Sequence, residues 1–139
     1  FRYGGVLMIS YINPPALGDY SGSGLSSGTS TDLFVYAAGL ALDQNTMKRR
    51  EDAKTIGDEV RICLENIGII LAEEGLTVRD IVKVTCYLRD DAYRGEFIQA
   101  YTEALAPGPY PARCTFVLGL ASDLRVQIEA TAAKHGGNA

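Results

Sequence analysis

Two charged residues near the C-terminal end of the chain stand in segments that could position them for chemistry. Arg113 lies in the segment 111–118, and Glu129 lies in the segment 125–132. In both segments apolar or β-branched residues alternate with polar ones, and this period of two predicts strands with one buried face. A guanidinium in such a position could bind an anion, and a carboxylate could position a water molecule.

The alternation also assigns the side chains of each predicted strand to faces. Arg113 shares a face with Thr115, whereas Cys114 points to the other face. Glu129 lies on the face opposite Ile128. In an alternative interpretation, Arg113 and Glu129 form a structural ion pair across neighbouring strands, since such pairs are common. Cys114 is more typical of a small buried hydrophobe than of a nucleophile.

The composition is that of one domain with a mildly acidic surface. The chain has 139 residues, which suits a single core, and we expect 1–139 to be one domain. The net charge of −4 and the pI of about 4.9 disfavour binding to nucleic acid or to an anionic membrane. No apolar run approaches the roughly 20 residues that span a bilayer, so we expect a soluble protein. Residues 1–8 are predicted to be a loose N-terminal segment, and 135–139 a flexible tail.

The cysteines and the histidine argue against several kinds of site. Cys63, Cys86 and Cys114 are far apart, and His135, the only histidine, lies in a Gly-rich tail. This spacing disfavours a disulfide framework and a zinc site. A single histidine in a tail also disfavours Ser-His-Asp or Cys-His catalysis, which needs a base held in the core. We expect a reducing, cytoplasmic location.

Hydrophobic periodicity predicts an α+β protein in which two helices cover one face of a mixed sheet. The predicted strands cover 8–12, 33–42, 81–88, 111–118 and 125–132, and the predicted helices cover 52–74 and 92–105. The segment 33–42 is expected to be a buried strand, and the Gly- and Ser-rich segment 16–31 is expected to be a mobile loop. Glu59 is placed on the first helix away from its apolar stripe.

Two helices leave the other side of the sheet uncovered. We expect Arg113, Thr115 and Glu129 on that open side, together with apolar residues of the segment 33–42. A chain of this size would gain by burying such a surface against copies of itself, so a closed homo-oligomer is expected. A binding cleft between subunits follows from that arrangement.

The order and spacing of several motifs resemble the Rid family, the reactive enamine/imine intermediate deaminases also called YjgF-like proteins. The resemblance covers residues 9 to 134. Its motifs are the segments 18–21, 35–39, 76–85, 93–101, 111–113 and 126–130. It implies a sheet-and-two-helix unit similar to chorismate mutase of the trimeric type. It also implies a homotrimer around a central β-barrel, with three clefts between subunits.

The resemblance further implies hydrolysis of 2-imino acids, formed from enamines, to 2-keto acids and ammonia, with no metal or organic cofactor. In that assignment Arg113 clamps the carboxylate of the small substrate through a bidentate contact. Glu129 positions the attacking water, and Tyr20 lines the pocket. Gly39 lies where the backbone approaches the ligand.

Backbone groups at Cys114 and Thr115 are also expected to contact substrate, and here the sequence departs from the common family pattern. Thr115 stands where a cysteine is common, Ala38 where a serine is frequent, and Leu40 where a glutamine is frequent. Ile98 replaces a common asparagine. The replacements at Ala38 and Leu40 make the pocket wall more apolar, so the resemblance does not define which imino acid is the substrate.

Three other functions stay open at this point. One is a 2-aminomuconate-type deaminase of aromatic-compound degradation, which would suit a longer or less polar cleft. The second is a ligand-binding or chaperone-like module without catalysis. The third is a ribonuclease, against which the acidic pI argues.

Overall fold

A computed structural model describes residues 2–3 and 6–135 of the chain. Its strands are β1 (Arg2–Tyr3), β2 (Val6–Leu7), β3 (Ser10–Ile12), β4 (Gly28–Ser30), β5 (Phe34–Leu40), β6 (Leu42–Asp43), β7 (Lys48–Arg49), β8 (Ile81–Leu88), β9 (Ala112–Val117) and β10 (Val126–Ala133). Its α-helices are α1 (Ile56–Ala72) and α2 (Arg94–Ala104). The predicted loose segment 1–8 and flexible tail 135–139 lie partly outside the described residues.

Six of the strands form one sheet in the order β3-β4-β5-β10-β8-β9. Every neighbouring pair is antiparallel except β8 and β9, which are parallel. Both helices contribute to the core on one face of this sheet, and they pack against each other. The predicted α+β class and the mixed sheet with two helices are therefore confirmed. Among the described residues, no helix is long and apolar enough to cross a membrane.

The alternating pattern of β10 separates the core from the open face. Alternate residues from Val126 to Ala132 are buried under the helices, whereas Gln127, Glu129 and Thr131 point to the other face. The same alternation divides β5, in which Val35 is fully buried and its neighbours are not. A strand is present in the predicted segment 33–42, and the helices bury it on one face only, so its other face contributes to the open side.

The Gly- and Ser-rich segment 16–31 contains a strand that the sequence did not indicate. Its last part is β4, which pairs with β3 and with β5. A Cβ at Gly28 would lie 2.5 Å from Ile70 Cγ2 and 2.8 Å from the carbonyl oxygen of Tyr36. Glycine is therefore required there by close packing, and the prediction of a mobile loop was wrong at this end of the segment.

A buried carboxylate ties α1 to the start of β10. Glu59 is completely buried, and its carboxylate accepts hydrogen bonds from the backbone N–H of Arg125 at 2.8 Å and of Val126 at 3.0 Å. The Nε of Arg125 also donates to Glu59, at 2.8 Å. The prediction that Glu59 lies away from the packed face of α1 was wrong, because Arg125 and two backbone groups replace its contacts with water.

A capping box determines where α1 begins. The hydroxyl of Thr55 accepts from the backbone N–H of Asp58, and the carboxylate of Asp58 accepts from the backbone N–H of Thr55. The predicted helix began at residue 52, and the cap moves its start to Ile56. The backbone N–H of Thr55 and then the Arg61 guanidinium hold the pKa of Asp58 at about 2, below its ordinary value of 3.8.

Removing this cap should destabilise the fold. Thr55→Ala is expected to lower the free energy of unfolding by about 1 kcal/mol. Asp58→Asn should also destabilise at neutral pH. The lowered pKa contributes stability above pH 3.8 that is lost as the pH falls toward 2, so the difference from the wild type should shrink in that window. Urea denaturation at several pH values measures both effects. Glu51→Gln, at an exposed position just before the helix, is the control, and equal losses at every pH would contradict the role given to Asp58.

Candidate active site

Glu129 lies on the open face of the sheet beside a cavity of about 310 Å³. In the sheet register it stands between Ala38 of β5 and Thr85 of β8. Lys83 and Ser27 also line this cavity. The position of Glu129 on the open side agrees with the prediction from the alternation of β10.

Tyr87 holds one oxygen of the Glu129 carboxylate. The Tyr87 hydroxyl donates to Glu129 Oε1 at 2.8 Å, and this hydrogen bond, followed by burial, raises the pKa of Tyr87 above its ordinary value. The other oxygen, Glu129 Oε2, has no hydrogen-bond partner among the described residues. The carboxylate is therefore fixed at one oxygen and available at the other, an arrangement that suits the positioning of a water molecule.

Sequence reasoning missed Tyr87, although the signal was present. The segment 81–88 alternates, and the structure buries Val84 and Cys86 while Thr85 and Tyr87 point to the open face with Glu129. Applying the period of two to this strand would have placed Tyr87 on the face of the carboxylate.

Arg113 lies on the helix side of the sheet, at its edge. It pairs in register with Val84, whose side chain is fully buried, and paired residues of a sheet point to the same face. Its guanidinium lies 5.6 Å from the ring centroid of Phe97 and 5.3 Å from that of Tyr101, both on α2. Burial raises the pKa of Tyr101 to about 12. Because β9 is the last strand of the sheet, Arg113 remains exposed.

The position expected for Arg113 was therefore wrong. Arg113 does not share the open face with Glu129, and neither does Thr115, whose hydroxyl accepts a hydrogen bond from Arg113 Nη1. The strands β9 and β10 are also not neighbours, since β8 lies between them. A structural ion pair between Arg113 and Glu129 across neighbouring strands is excluded within one chain for the same reasons.

Cys114 lies on the open face and is exposed. It pairs with Thr85, whose other neighbour in register is Glu129. The interpretation of Cys114 as a buried hydrophobe was wrong, because β9 is an edge strand with no helix over this face. The other two cysteines are buried, and all three are free.

Gly39 is buried against α1 and does not line the Glu129 cavity. A Cβ at this position would collide with the carbonyl oxygen of Cys63 and would lie 2.9 Å from Ile67 Cγ1. The close approach of α1 to β5 is thus a sufficient physical reason for glycine here.

Tyr20 lines a second, larger cavity of about 640 Å³ on the same face. The residue is half-buried and precedes the short 3-10 turn Ser21–Ser23. Its pKa is raised, first by burial and then by the charge of Asp43. The two cavities share Ser27 and Ala38 in their walls, so Tyr20 and Glu129 line adjoining spaces.

Among the described residues, no group of three or more His, Cys, Asp or Glu side chains could hold a metal ion.

The fold and this face define a small α+β protein whose uncovered sheet carries an oriented carboxylate next to two cavities. Residues 12–134 match the family model described as endoribonuclease L-PSP. The chain therefore belongs to this family, whose members with solved structures are also called YjgF or Rid proteins. The resemblance to the Rid family noted from the motifs is confirmed.

Two relatives align with most of the chain. A RutC family protein of Pyrococcus horikoshii is 32% identical over 123 residues, which are 87% of this chain and 91% of the relative. The 2-iminobutanoate/2-iminopropanoate deaminase of Salmonella typhimurium is 30% identical over 126 residues, with the same coverage of 87% and 91%. A solved Rid family protein from Yersinia pestis, YyfA, is 26% identical with a TM-score of 0.74, over 91% of this chain and 100% of that chain. Proteins named as deaminases thus stand among the relatives of this chain.

The packing reason for Gly39 predicts a loss of stability on substitution. Gly39→Ala should lower the free energy of unfolding by about 1–3 kcal/mol, because α1 must shift to accommodate the methyl group. Chemical denaturation measures the change. Gly95→Ala is the matched control, since nothing lies within 4 Å of a Cβ there, and it should be neutral or slightly stabilising. Unchanged stability of Gly39→Ala would contradict this packing role.

The hydrogen bond between Tyr87 and Glu129 predicts a coupled titration. Glu129→Gln should bring the pKa of Tyr87 down toward its ordinary value of 10, because a neutral amide stabilises the protonated phenol less than a carboxylate does. NMR titration of protein labelled with ¹³C at tyrosine Cζ measures this, and Tyr87→Phe assigns the signal. Glu103→Gln on α2 serves as the control. An unchanged titration of Tyr87 would show that the hydrogen bond does not form in solution.

Proposed function

We propose that this protein is a deaminase that hydrolyses 2-imino acids, and the enamines that give rise to them, to 2-keto acids and ammonia. The observation that carries the proposal is the Glu129 carboxylate, fixed at one oxygen by Tyr87 and open at the other beside a cavity. The Salmonella typhimurium relative, which is named as a 2-iminobutanoate/2-iminopropanoate deaminase, supports the same reaction.

The chemistry needs little more than an oriented water molecule. A protonated C=N carbon is already electrophilic, so the oxygen of a water held by Glu129 adds to it while the carboxylate takes one proton. That proton passes to the nitrogen of the resulting carbinolamine. The carbinolamine hydroxyl then gives its proton to the Glu129 carboxylate, the C=O bond forms as the C–N bond breaks, and ammonia leaves. Glu129 finally releases this proton to solvent or to the ammonia. In this proposal no step requires a metal or an organic cofactor.

Arg113 is the residue that we assign to the carboxylate of the substrate. A guanidinium offers two parallel N–H donors to a carboxylate, and the rings of Phe97 and Tyr101 constrain its plane. In one chain, however, Arg113 and Glu129 lie on opposite faces of the sheet. They serve one substrate only if the β9 edge of one subunit meets the open face of another.

We therefore propose a homotrimer in which the open faces enclose a central β-barrel and each of three clefts lies between two subunits. Aromatic side chains on the open face support this assembly, since Tyr36 is 44% exposed and Phe116 is 52% exposed in the isolated chain. Each cleft would combine Arg113 of one subunit with Glu129 and Tyr20 of its neighbour. Backbone groups at Gly39, Cys114 and Thr115 are assigned supporting contacts with the substrate.

A ribonuclease is a weaker candidate, although the family model is described with that activity. The net charge is −4, and of the residues that line the Glu129 cavity only Lys83 is basic. RNA binding needs several cations along one surface.

We assign the deaminase reaction to a reducing, cytoplasmic compartment, which the three free cysteines favour.

Loss and recovery of activity test the reaction and the shared cleft together. An enamine is generated in situ from serine or threonine by a separate dehydratase, and ammonia release is followed with and without the protein. Arg113→Ala and Glu129→Ala should each lower the rate by about 100-fold or more, since each removes a group that orients a reactant. Each cleft takes Arg113 and Glu129 from different subunits, so a cleft is intact when the first comes from a Glu129→Ala subunit and the second from an Arg113→Ala subunit. When the two variants are co-expressed and mix at random, about one quarter of the clefts should therefore be intact.

The control uses a charged residue that lines neither cavity. Glu73→Ala removes an exposed carboxylate just after α1, and it should leave the rate unchanged. Sedimentation checks that every variant keeps the oligomeric state of the wild type. Normal activity of either single variant would overturn the site assignment, and inactive mixtures would overturn the shared cleft.

A further inference from the structure

The second cavity on the open face has a largely apolar wall. It encloses about 640 Å³, and Leu17, Leu25, Leu40 and Met47 are among the side chains that line it. A volume of this size is typical of sites for small organic molecules. Polar residues such as Tyr20, Asn45 and Gln127 also line the cavity, but apolar atoms make up most of the surface that the wall exposes.

This cavity begins next to the carboxylate assigned to catalysis. Ala38 lies in the walls of both cavities and pairs in register with Glu129. Leu40 lies two residues further along β5 on the same face, and it pairs in register with Gln127. Two residues along a strand correspond to about 6–7 Å. A substrate whose C=N carbon lies at Glu129 can therefore extend its side chain into the space in front of Leu40.

The charges of the wall do not offer a partner to a second carboxylate. Arg50 is the only cationic side chain among the described residues that line the cavity. Its Nε and Nη2 donate to the two carboxylate oxygens of Asp52, at 2.9 and 2.6 Å. Asp43 adds a negative charge to the same wall. An anionic substituent placed there would lose water without gaining a free cation.

We propose that this cavity binds the side chain of the substrate and selects uncharged, apolar side chains of several carbon atoms. The proposal rests on the deaminase function above and specifies its substrate class. Imino acids with branched aliphatic or thioether side chains are preferred to 2-iminopropanoate, and dicarboxylic substrates such as 2-aminomuconate are disfavoured. Leu40 is the main specificity-determining residue, because it is the first large side chain of the cavity wall along β5 after Ala38, which pairs with Glu129.

A chain-length series tests the selection. An amino-acid oxidase generates imino acids in situ from alanine, 2-aminobutanoate, norvaline, leucine and methionine, and kcat/KM is measured for each. Each methylene that enters the cavity should raise kcat/KM by about fourfold. In Leu40→Gln the ratio of the leucine-derived to the alanine-derived substrate should fall by about tenfold or more. Ile69→Gln, an exposed position on α1, should leave that ratio unchanged.

Product binding to the wild-type protein provides a measurement that needs no variant. Isothermal titration should give a lower Kd for 4-methyl-2-oxopentanoate than for pyruvate, and a higher Kd for 2-oxoglutarate than for 4-methyl-2-oxopentanoate. Tighter binding of 2-oxoglutarate would overturn the proposal by revealing a free cation in the cavity.

The outcomes separate the two levels of inference. If no imino acid is hydrolysed faster than in buffer, the deaminase function itself fails. If all are hydrolysed at rates that neither chain length nor Leu40→Gln alters, the function stands and the side-chain cavity is rejected.

Discussion

The position of β10 depends on a single buried carboxylate. Glu59 of α1 accepts the backbone N–H groups of Arg125 and Val126, and the Arg125 side chain neutralises its charge. These contacts set the residue at which the central strand begins, and β5 and β8 pair with it on either side. A shift of one residue would exchange the two faces of β10 and turn Glu129 toward the core. A structural ion pair between a helix and a strand therefore determines which side chains reach the open face.

The same rule of alternation separates the two residues that motif comparison had placed together. Glu129 points to the open face because its neighbours in β10, Ile128 and Ala130, are buried under the helices. Arg113 points to the helix side because it pairs in register with Val84 of β8, whose side chain is buried there. The isolated subunit thus carries the two halves of the proposed site on different sides of one sheet. Under the proposed function the assembly of copies becomes part of the catalytic machinery, and a monomer would hold each half without the other.

The open face combines polar groups suited to chemistry with apolar groups suited to contact. Tyr87 orients the carboxylate, and its ring stacks with Phe116 at 6.4 Å between centroids. The larger cavity adds an apolar wall whose only described cation, Arg50, is already paired. Reaction and selection are in this way assigned to neighbouring parts of one surface. At the reacting end, the Tyr87 hydroxyl holds the Glu129 carboxylate. At the selecting end, the described residues of the wall offer no cation that is free of a partner.

Local periodicity in the sequence determined the elements and their faces. The limits predicted for β8 agree with the structure, and the predicted helix 52–74 contains the whole of α1. Glu129 lies on the uncovered side, as expected. These features depend on a period of two or of 3.6 residues, which a short segment carries by itself. Tyr87 was also within reach of that rule and was overlooked.

Tertiary structure alone decided which strands are neighbours and which polar groups are buried. The pairing of β9 with β8 moved Arg113 to the helix side, the edge position exposed Cys114, and Arg125 allowed Glu59 to be buried. Each of these outcomes depends on contacts between residues that are distant in the chain, so no local pattern contains them.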